Sequence, residues 1–254
     1  MTDDDLALAA RLADAAGAAI RPFFRAPFSM EAKADASPVT EADRAAEAAM
    51  RTILTAERPA DGIIGEEYGT ERADADRLWV LDPIDGTRSF VAGRPIFGTL
   101  VALLEDGVPV VGLIDQPIAR ERWLGAAGRP TTLNGSAIRT RRCPALDRAH
   151  LATTGPAYFT PARYAAFDRV RAAARDTLWG GDCYNYGLLA AGHLDLVIED
   201  GLQLYDFAAL VPIVEGAGGR MRDWQDRPLT RDSTGQVIAA GDPALIDSVT
   251  AILA

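Results

Sequence analysis

The chain has 254 residues, 48% of them hydrophobic, which is enough for a sizeable core in one large domain or two smaller ones. With 36 acidic against 26 basic side chains the formal net charge is −10, which argues on electrostatic grounds against a nucleic-acid or anionic-membrane partner. Two cysteines (Cys143, Cys183) are too few for a disulfide framework or a Cys-rich zinc site, and two histidines (His150, His193) leave little for imidazole chemistry, so any metal is held by oxygen, favouring Mg²⁺, Mn²⁺ or Ca²⁺.

The start, Met1 to Leu6, has neither a basic region nor an apolar run. No uncharged apolar run in the chain reaches the roughly 20 residues that span a bilayer, so the sequence reads as cytoplasmic. Leu8, Leu12, Ala16, Ile20 and Phe23 recur at helical spacing and predict an amphipathic helix over 6–24. Residues 29–38 read as irregular or weakly extended. Thr40-Glu-Ala-Asp43 then has the form of a capping box ahead of a helix to about Glu57, which gives Asp43 a structural reading as a helix-start residue. After the Asp61-Gly62 break, Ile63-Ile64 predicts a short strand that ends in Gly65-Glu66-Glu67. The same strand-then-acid pattern follows at once. Leu78 to Leu81 reads as a buried strand delivering Asp82 and Asp85 to a Pro- and Gly-containing turn, with a helix starting at Thr87.

Phe97–Leu104 and Val108–Ile114, separated by Glu105-Asp106-Gly107, predict an antiparallel hairpin, which Glu121–Leu124 extends. The Arg-rich stretch 139–146 reads as a connection, placing a boundary near 147. Beyond it short apolar runs alternate with helical ones: a strand near Leu151, helices over 164–174 and 183–191, a strand over 194–199, a helix over 206–215, a strand over 237–239 and a helix over 243–253. That alternation predicts an α/β layer packed on the first half.

Asp82 and Asp85 lie three apart across a proline, so both carboxylates can reach one site, and a divalent cation relieves their repulsion. They can also be ordinary turn and cap residues. Four segments together sharpen the choice. Gly65-Glu66-Glu67, Trp79 to Phe90 containing Asp82-Pro-Ile-Asp85-Gly-Thr87, Tyr205-Asp206-Phe-Ala-Ala, and Glu215-Gly-Ala-Gly-Gly219 resemble, in order and spacing, the signature segments of the inositol monophosphatase superfamily. Pro38-Val-Thr-Glu-Ala-Asp43 fits the same pattern.

The resemblance implies a layered αβαβα sandwich, an α+β and α/β fold of the inositol monophosphatase and fructose-1,6-bisphosphatase type. It implies an N-terminal α+β subdomain over 1–147 with most metal ligands, and a C-terminal α/β subdomain over 148–254 with Asp206 and the specificity residues. It also implies a Mg²⁺-dependent hydrolase of small-molecule phosphate esters, with two or three ions per site and Mn²⁺ as an alternative. Glu66, Asp82 and the Ile84 carbonyl would hold one ion, and Asp82, Asp85 and Asp206 a second. A third would sit on Glu66 through water. Asp85, Gly86 and Thr87 would cradle the phosphate with backbone groups, while Asp43 and Thr87 would aim the attacking water. Lys33 matches a family lysine of less defined role, and a homodimer is implied by resemblance alone. Asp206 also reads as the cap of its own helix.

For the substrate, inositol-type members commonly carry asparagine where this chain has Ser89. An arginine they place shortly before Gly180-Gly181 is missing, unless Arg175 is its displaced equivalent. The runs Asp85 to Phe90, Trp179 to Tyr184 and Tyr205 to Leu210 look more like the histidinol-phosphate phosphatase branch, a step in histidine biosynthesis. Its substrate carries an ammonium and an imidazole, which extra carboxylates suit. Asp182 and Glu199 are the candidates, with a helix N-cap as the structural reading of Asp182. His193 reads as a helix C-terminal residue and Cys183 as a buried filler. The alternatives are an inositol-1-monophosphatase or related sugar-phosphate phosphatase, and a metal- or phosphate-binding protein without turnover. A haloacid-dehalogenase-type phosphatase fits less well, because its two acids lie two residues apart.

Overall fold

The opening helix α1 (Asp3–Ile20) begins at Thr2, whose amide donates to the Asp5 carboxylate at 2.6 Å while its hydroxyl accepts from the Asp5 amide. Leu8, Leu12, Ala16 and Ile20 form its buried face. The computed structural model describes residues 1–26, 30–32 and 38–254, with backbone alone at 30–32 and 38–40. Lys33 and the Thr40 side chain, with its expected capping bond, therefore lie outside the described residues. β1 (Met30–Ala32) pairs antiparallel with β2 (Pro38–Thr40), and α2 (Glu41–Glu57) then packs beside α1.

The first large sheet follows: β3 (Gly62–Gly65), β4 (Gly69–Glu71), β5 (Arg77–Asp85), the short helix α3 (Thr87–Val91), β6 (Gly98–Glu105), β7 (Val108–Gln116), β8 (Glu121–Ala126), β9 (Arg129–Leu133) and β10 (Ser136–Ala137). The strand order is β10-β9-β8-β7-β6-β5-β3-β4. β6 and β7 form the expected hairpin, with Asp106 at φ 51° and Gly107 at φ 78° supplying the left-handed pair that a tight turn matching strand twist requires.

The chain then builds a second sheet from β11 (His150–Thr153), α4 (Pro161–Ala173), β12 (Asp176–Trp179), α5 (Tyr184–Ala190), β13 (Leu196–Glu199), α6 (Leu204–Phe207), α7 (Leu210–Gly216), β14 (Arg220–Arg222), β15 (Val237–Ala240) and α8 (Leu245–Leu253), in the order β12-β11-β13-β15-β14. Two differences from the sequence expectations have local causes. The helix expected over 206–215 is broken between α6 and α7, because Pro212 has no amide to donate and its ring crowds the carbonyl of residue 208. β12 carries mixed polar residues on an edge, with Leu178 and Trp179 exposed, so no periodicity announces it.

Alternation along β5 sets the layering. Trp79 and Leu81 join α1 and α2 in one core, while Leu78 and Val80 point the other way, into a core shared with α5, α7 and one face of the second sheet. The opposite face of that sheet, with Leu196, Ile198 and Ile238, is covered by α4 and α8. The product is a helix, sheet, helix, sheet, helix sandwich, the architecture the resemblance implies. Among the described residues no helix is long and apolar enough to cross a membrane.

Candidate active site

The repeated strand-then-acid pattern has a structural cause. β3 and β5 are parallel neighbours with Gly65 opposite Leu81, so the next residue of each, Glu66 and Asp82, lies at the same end of their pairing. The Glu66 amide donates to the Leu81 carbonyl at 3.2 Å. Asp85 needs a further device, because residues three apart on a regular strand face opposite ways. Against β6, Asp82 pairs with Leu100 and Asp85 with Gly98, so three steps on β5 match two on β6. This bulge at Pro83-Ile84 turns Asp85 back beside Asp82. The expected turn is thus a bulged continuation of the strand, pinned by Thr99 Oγ1 donating to the Pro83 carbonyl at 2.8 Å. The Ile84 amide donates to Asp82 Oδ1 at 3.0 Å, and Thr87 Oγ1 donates to the Ile84 carbonyl at 3.1 Å.

Asp206 arrives from the second half. It is the third residue of α6 rather than the N-cap, which is Gln203, and its Oδ2 accepts from the Gln203 amide at 2.6 Å. Carboxylate oxygens of Asp82, Asp85 and Asp206 all lie within 4.8 Å of one another. Glu66, Asp85 and Asp206 line a cavity of about 270 Å³ with Gly86, Thr87, Asp182 and Glu199. Burial, then repulsion from Glu66, Asp85 and Asp206, holds the Asp82 carboxyl well above the usual carboxylate range. Asp85 is pushed up by burial, with Asp182 and Asp206 adding to it. Convergent acids, Asp82 buried and Asp85 and Asp206 half-buried, bearing only oxygen donors fit a hard divalent cation, whose charge removes that repulsion. Asp43, fully buried in the first turn of α2, is packed within the structure and is absent from the cavity lining.

The opposite wall comes from the turn before α5. Gly180, Gly181 and Asp182 have φ of 84°, 122° and 46°, a left-handed run that aspartate tolerates better than most residues. Asp182 is not the N-cap of α5: that position is Cys183, and Asp182 Oδ2 instead accepts from Ser89 Oγ at 2.9 Å. Its carboxylate lies over Gly86, where a Cβ would stand 2.7 Å from Oδ2. The Cys183 amide donates to Asp85 Oδ2 at 2.5 Å, so the two halves meet at the site. Burial raises the Asp182 carboxyl, opposed by the Ser89 hydrogen bond and by Arg94 and Arg88. Glu199, at the end of β13, accepts from the Thr154 amide at 2.6 Å and from the Thr154 and Thr153 hydroxyls at 2.9 and 3.2 Å, and burial lifts it to about 8 against those bonds.

Cys183 is buried against Gly98, with its thiol pushed up by burial, as suits a filler. His193 is exposed after the left-handed Gly192, its amide capping the Leu188 carbonyl at 2.9 Å, as expected at a helix end. The cavity is also lined by residues that the sequence does not single out for a site role, among them Arg88, Thr154, Tyr158, Asp200 and Gln203. Arg88 was within reach, since it follows Thr87 in the central motif. Thr154 and Tyr158 follow the end of β11, a position with no acid to mark it.

An inositol monophosphatase family model matches residues 2–253. A bifunctional phosphatase, IMPL2, of Arabidopsis thaliana is 51% identical over 91% of this chain and 69% of its own length. A histidinol-phosphatase of Mycobacterium tuberculosis is 38% identical over 87% of this chain and 88% of that one. Among solved structures, that of an inositol monophosphatase from Zymomonas mobilis has 62% identity and a TM-score of 0.92, covering 99% of this chain and 98% of the other.

Proposed function

Because the chain belongs to the inositol monophosphatase family, whose members hydrolyse phosphate monoesters of small molecules, we propose that it is a Mg²⁺-dependent histidinol-phosphate phosphatase acting by direct attack of water. The observation that carries the substrate choice is the second wall of the cavity. Asp182 is held by Ser89 directly over Gly86, next to where the phosphate would sit; of its acidic neighbours on this wall, Glu199 keeps its proton up to about pH 8 and Asp200 is paired with Arg163 at 2.8 Å, so Asp182 supplies the wall's negative charge. A phosphate ester with a cationic remainder complements that surface, and an uncharged polyol gains nothing from it.

Glu66, Asp82, the Ile84 carbonyl, Asp85 and Asp206 would hold the ions, two with Asp82 shared and a third on Glu66. When bound, such cations neutralise charge on the phosphoryl and leaving oxygens and lower the pKa of water. The remaining work falls to the chain. The left-handed Gly86 brings the backbone at the start of α3 against the phosphate, where a side chain would collide with Asp182. Thr87 donates its hydroxyl hydrogen to the Ile84 carbonyl, so its oxygen is left to accept a hydrogen bond that aims the attacking water, a role Asp43 would share. Arg88, exposed at the cavity mouth, supplies the cation that an acidic protein needs to draw in a phosphate ester. A cytoplasmic homodimer completes the reading.

The Zymomonas neighbour, an inositol monophosphatase, keeps the inositol ester as the second reading. Comparing kcat/KM for histidinol phosphate and inositol 1-phosphate in Mg²⁺ separates the two. At least a tenfold preference for histidinol phosphate is expected, and a preference for the inositol ester overturns the substrate choice. Failure to release phosphate from a broad ester panel would instead return the chain to a binding protein.

A further inference from the structure

α2 carries three polar residues at intervals of four, Asp43, Glu47 and Arg51, all buried on the face a helix of this kind gives to apolar side chains. Glu47 is fully buried and absent from the cavity lining. Its Oε2 accepts from the Glu67 amide at 2.7 Å, and its Oε1 accepts from the Tyr68 amide at 3.2 Å and from Arg51 Nε at 2.7 Å. Those two amides belong to the turn between β3 and β4, where Gly65 faces Gly69, and Glu66 is the first residue of that turn. Successive amides aimed at one carboxylate form an anion nest made by the chain for its own side chain. Gly65 makes room for it, since a Cβ there would lie 2.0 Å from Glu47 Oε1. Arg51 grips the far strand through the Gly69 carbonyl and, at 2.8 Å, the Glu71 carboxylate.

A buried ion pair adds little stability over an apolar pair of the same volume, so its use here calls for another gain. That gain is position. Strand pairing and the Glu66–Leu81 bond fix the turn to the sheet, whereas the Glu47 carboxylate ties it to the helix that also carries Asp43, one turn earlier. We propose that Glu47 is a positioning residue, fixing Glu66 relative to Asp43, with Arg51 holding Glu47 in place. This rests on the reading of Glu66 as a metal ligand and Asp43 as the group that aims the water.

The test is calorimetric titration of Mg²⁺ alone into the full chain, compared between variants. Glu47→Gln keeps the shape but must turn an NH₂ toward a donor, either the Glu67 amide or the pair of Arg51 and Tyr68. Loss of a partner bonded directly to a ligand weakens metal binding by about 10- to 100-fold, and Glu47, acting on Glu66 through the next two amides, is expected at the lower end of that range. Asp195→Asn is the structural control: it is a buried carboxylate gripped by Nε and Nη2 of Arg141 and absent from the cavity lining. Glu66→Gln tests the underlying reading.

At least tenfold weaker Mg²⁺ binding in Glu47→Gln, with Asp195→Asn within twofold of the parent, supports the proposal. Equal loss in both, or binding within twofold of the parent in Glu47→Gln while Glu66→Gln is weakened, overturns it. Unchanged binding in Glu66→Gln overturns the ligand reading instead. Should Glu47→Gln fail to fold, Glu47→Asp, one methylene too short to reach both amides, is read against the same limits.

Discussion

The two walls of the cavity are built in different ways. One is the end of a parallel pair: Glu66 and Asp82 follow Gly65 and Leu81 in register, and a bulge in β5 turns Asp85 beside them. The other is mixed: Asp182 sits in a left-handed turn, while Glu199 ends β13 and is held by Thr153 and Thr154 at the end of the parallel strand β11. The sheet end fixes chemistry, since its side chains inherit the rigidity of hydrogen-bonded strands. The turns can change length and residue type without disturbing that sheet, which is where a family places differences in substrate.

The sharpest way to break this division is Asp82→Asn. It removes the charge at the centre of the acidic cluster while keeping the acceptor that the Ile84 amide uses. Turnover of every ester should fall on the order of a thousandfold, a barrier increase of about 4 kcal/mol, with substrate preference unchanged. Near-parental turnover in a phosphate-release assay would remove the sheet end from the chemistry.

Gly86→Ala tests the contact between the walls. The added Cβ would lie 2.7 Å from Asp182 Oδ2 at φ 85°. A left-handed alanine alone costs about 1–2 kcal/mol. Both a lower melting temperature and a raised KM are expected, the second because Asp182 must move. A variant with parental KM would show that the walls do not touch in solution.

The smallest effect concerns pH. Glu199 is lifted from 4.5 to about 8 by burial. The folded chain therefore holds a proton that the unfolded chain has released between those values, so its stabilising contribution is complete below about 4.5 and is lost as pH rises through about 8. Glu199→Gln keeps the neutral form: its oxygen can stay on the Thr154 amide and hydroxyl while its NH₂ faces Thr153, whose hydroxyl can rotate to accept. It should match the parent's melting temperature near pH 5 and exceed it at pH 9, as thermal scans across that range would read. Parallel curves for parent and variant would mean that Glu199 does not carry the proton.

The sheet wall was largely legible in the sequence. Leu78 to Leu81 reads as buried strand because both faces of β5 are covered, and the acid after each strand follows directly from parallel register. What stayed hidden is the bulge: Pro83 in the motif reads equally as a turn, and only the pairing with Leu100 and Gly98 distinguishes the two. On the other wall, Asp182 was named but its geometry was not. The N-cap alternative fails because the helix starts one residue later than expected and the carboxylate turns to Ser89, 93 positions away. Glu199 was named as a substrate contact. It lines the cavity, yet its carboxylate is already taken up by Thr153 and Thr154, which no local pattern announces. Long-range hydrogen bonds of this kind leave no periodic trace.

The division of labour between the walls is tested most directly by measuring kcat/KM for histidinol phosphate and inositol 1-phosphate in the parent and in Asp182→Asn. Asparagine can keep the Ser89 bond while losing the charge. The account predicts that the parent prefers histidinol phosphate, and that the variant loses at least about tenfold of that preference, roughly 1.4 kcal/mol, with inositol 1-phosphate turnover little changed. An equal fall for both esters, or an unchanged ratio, would contradict it.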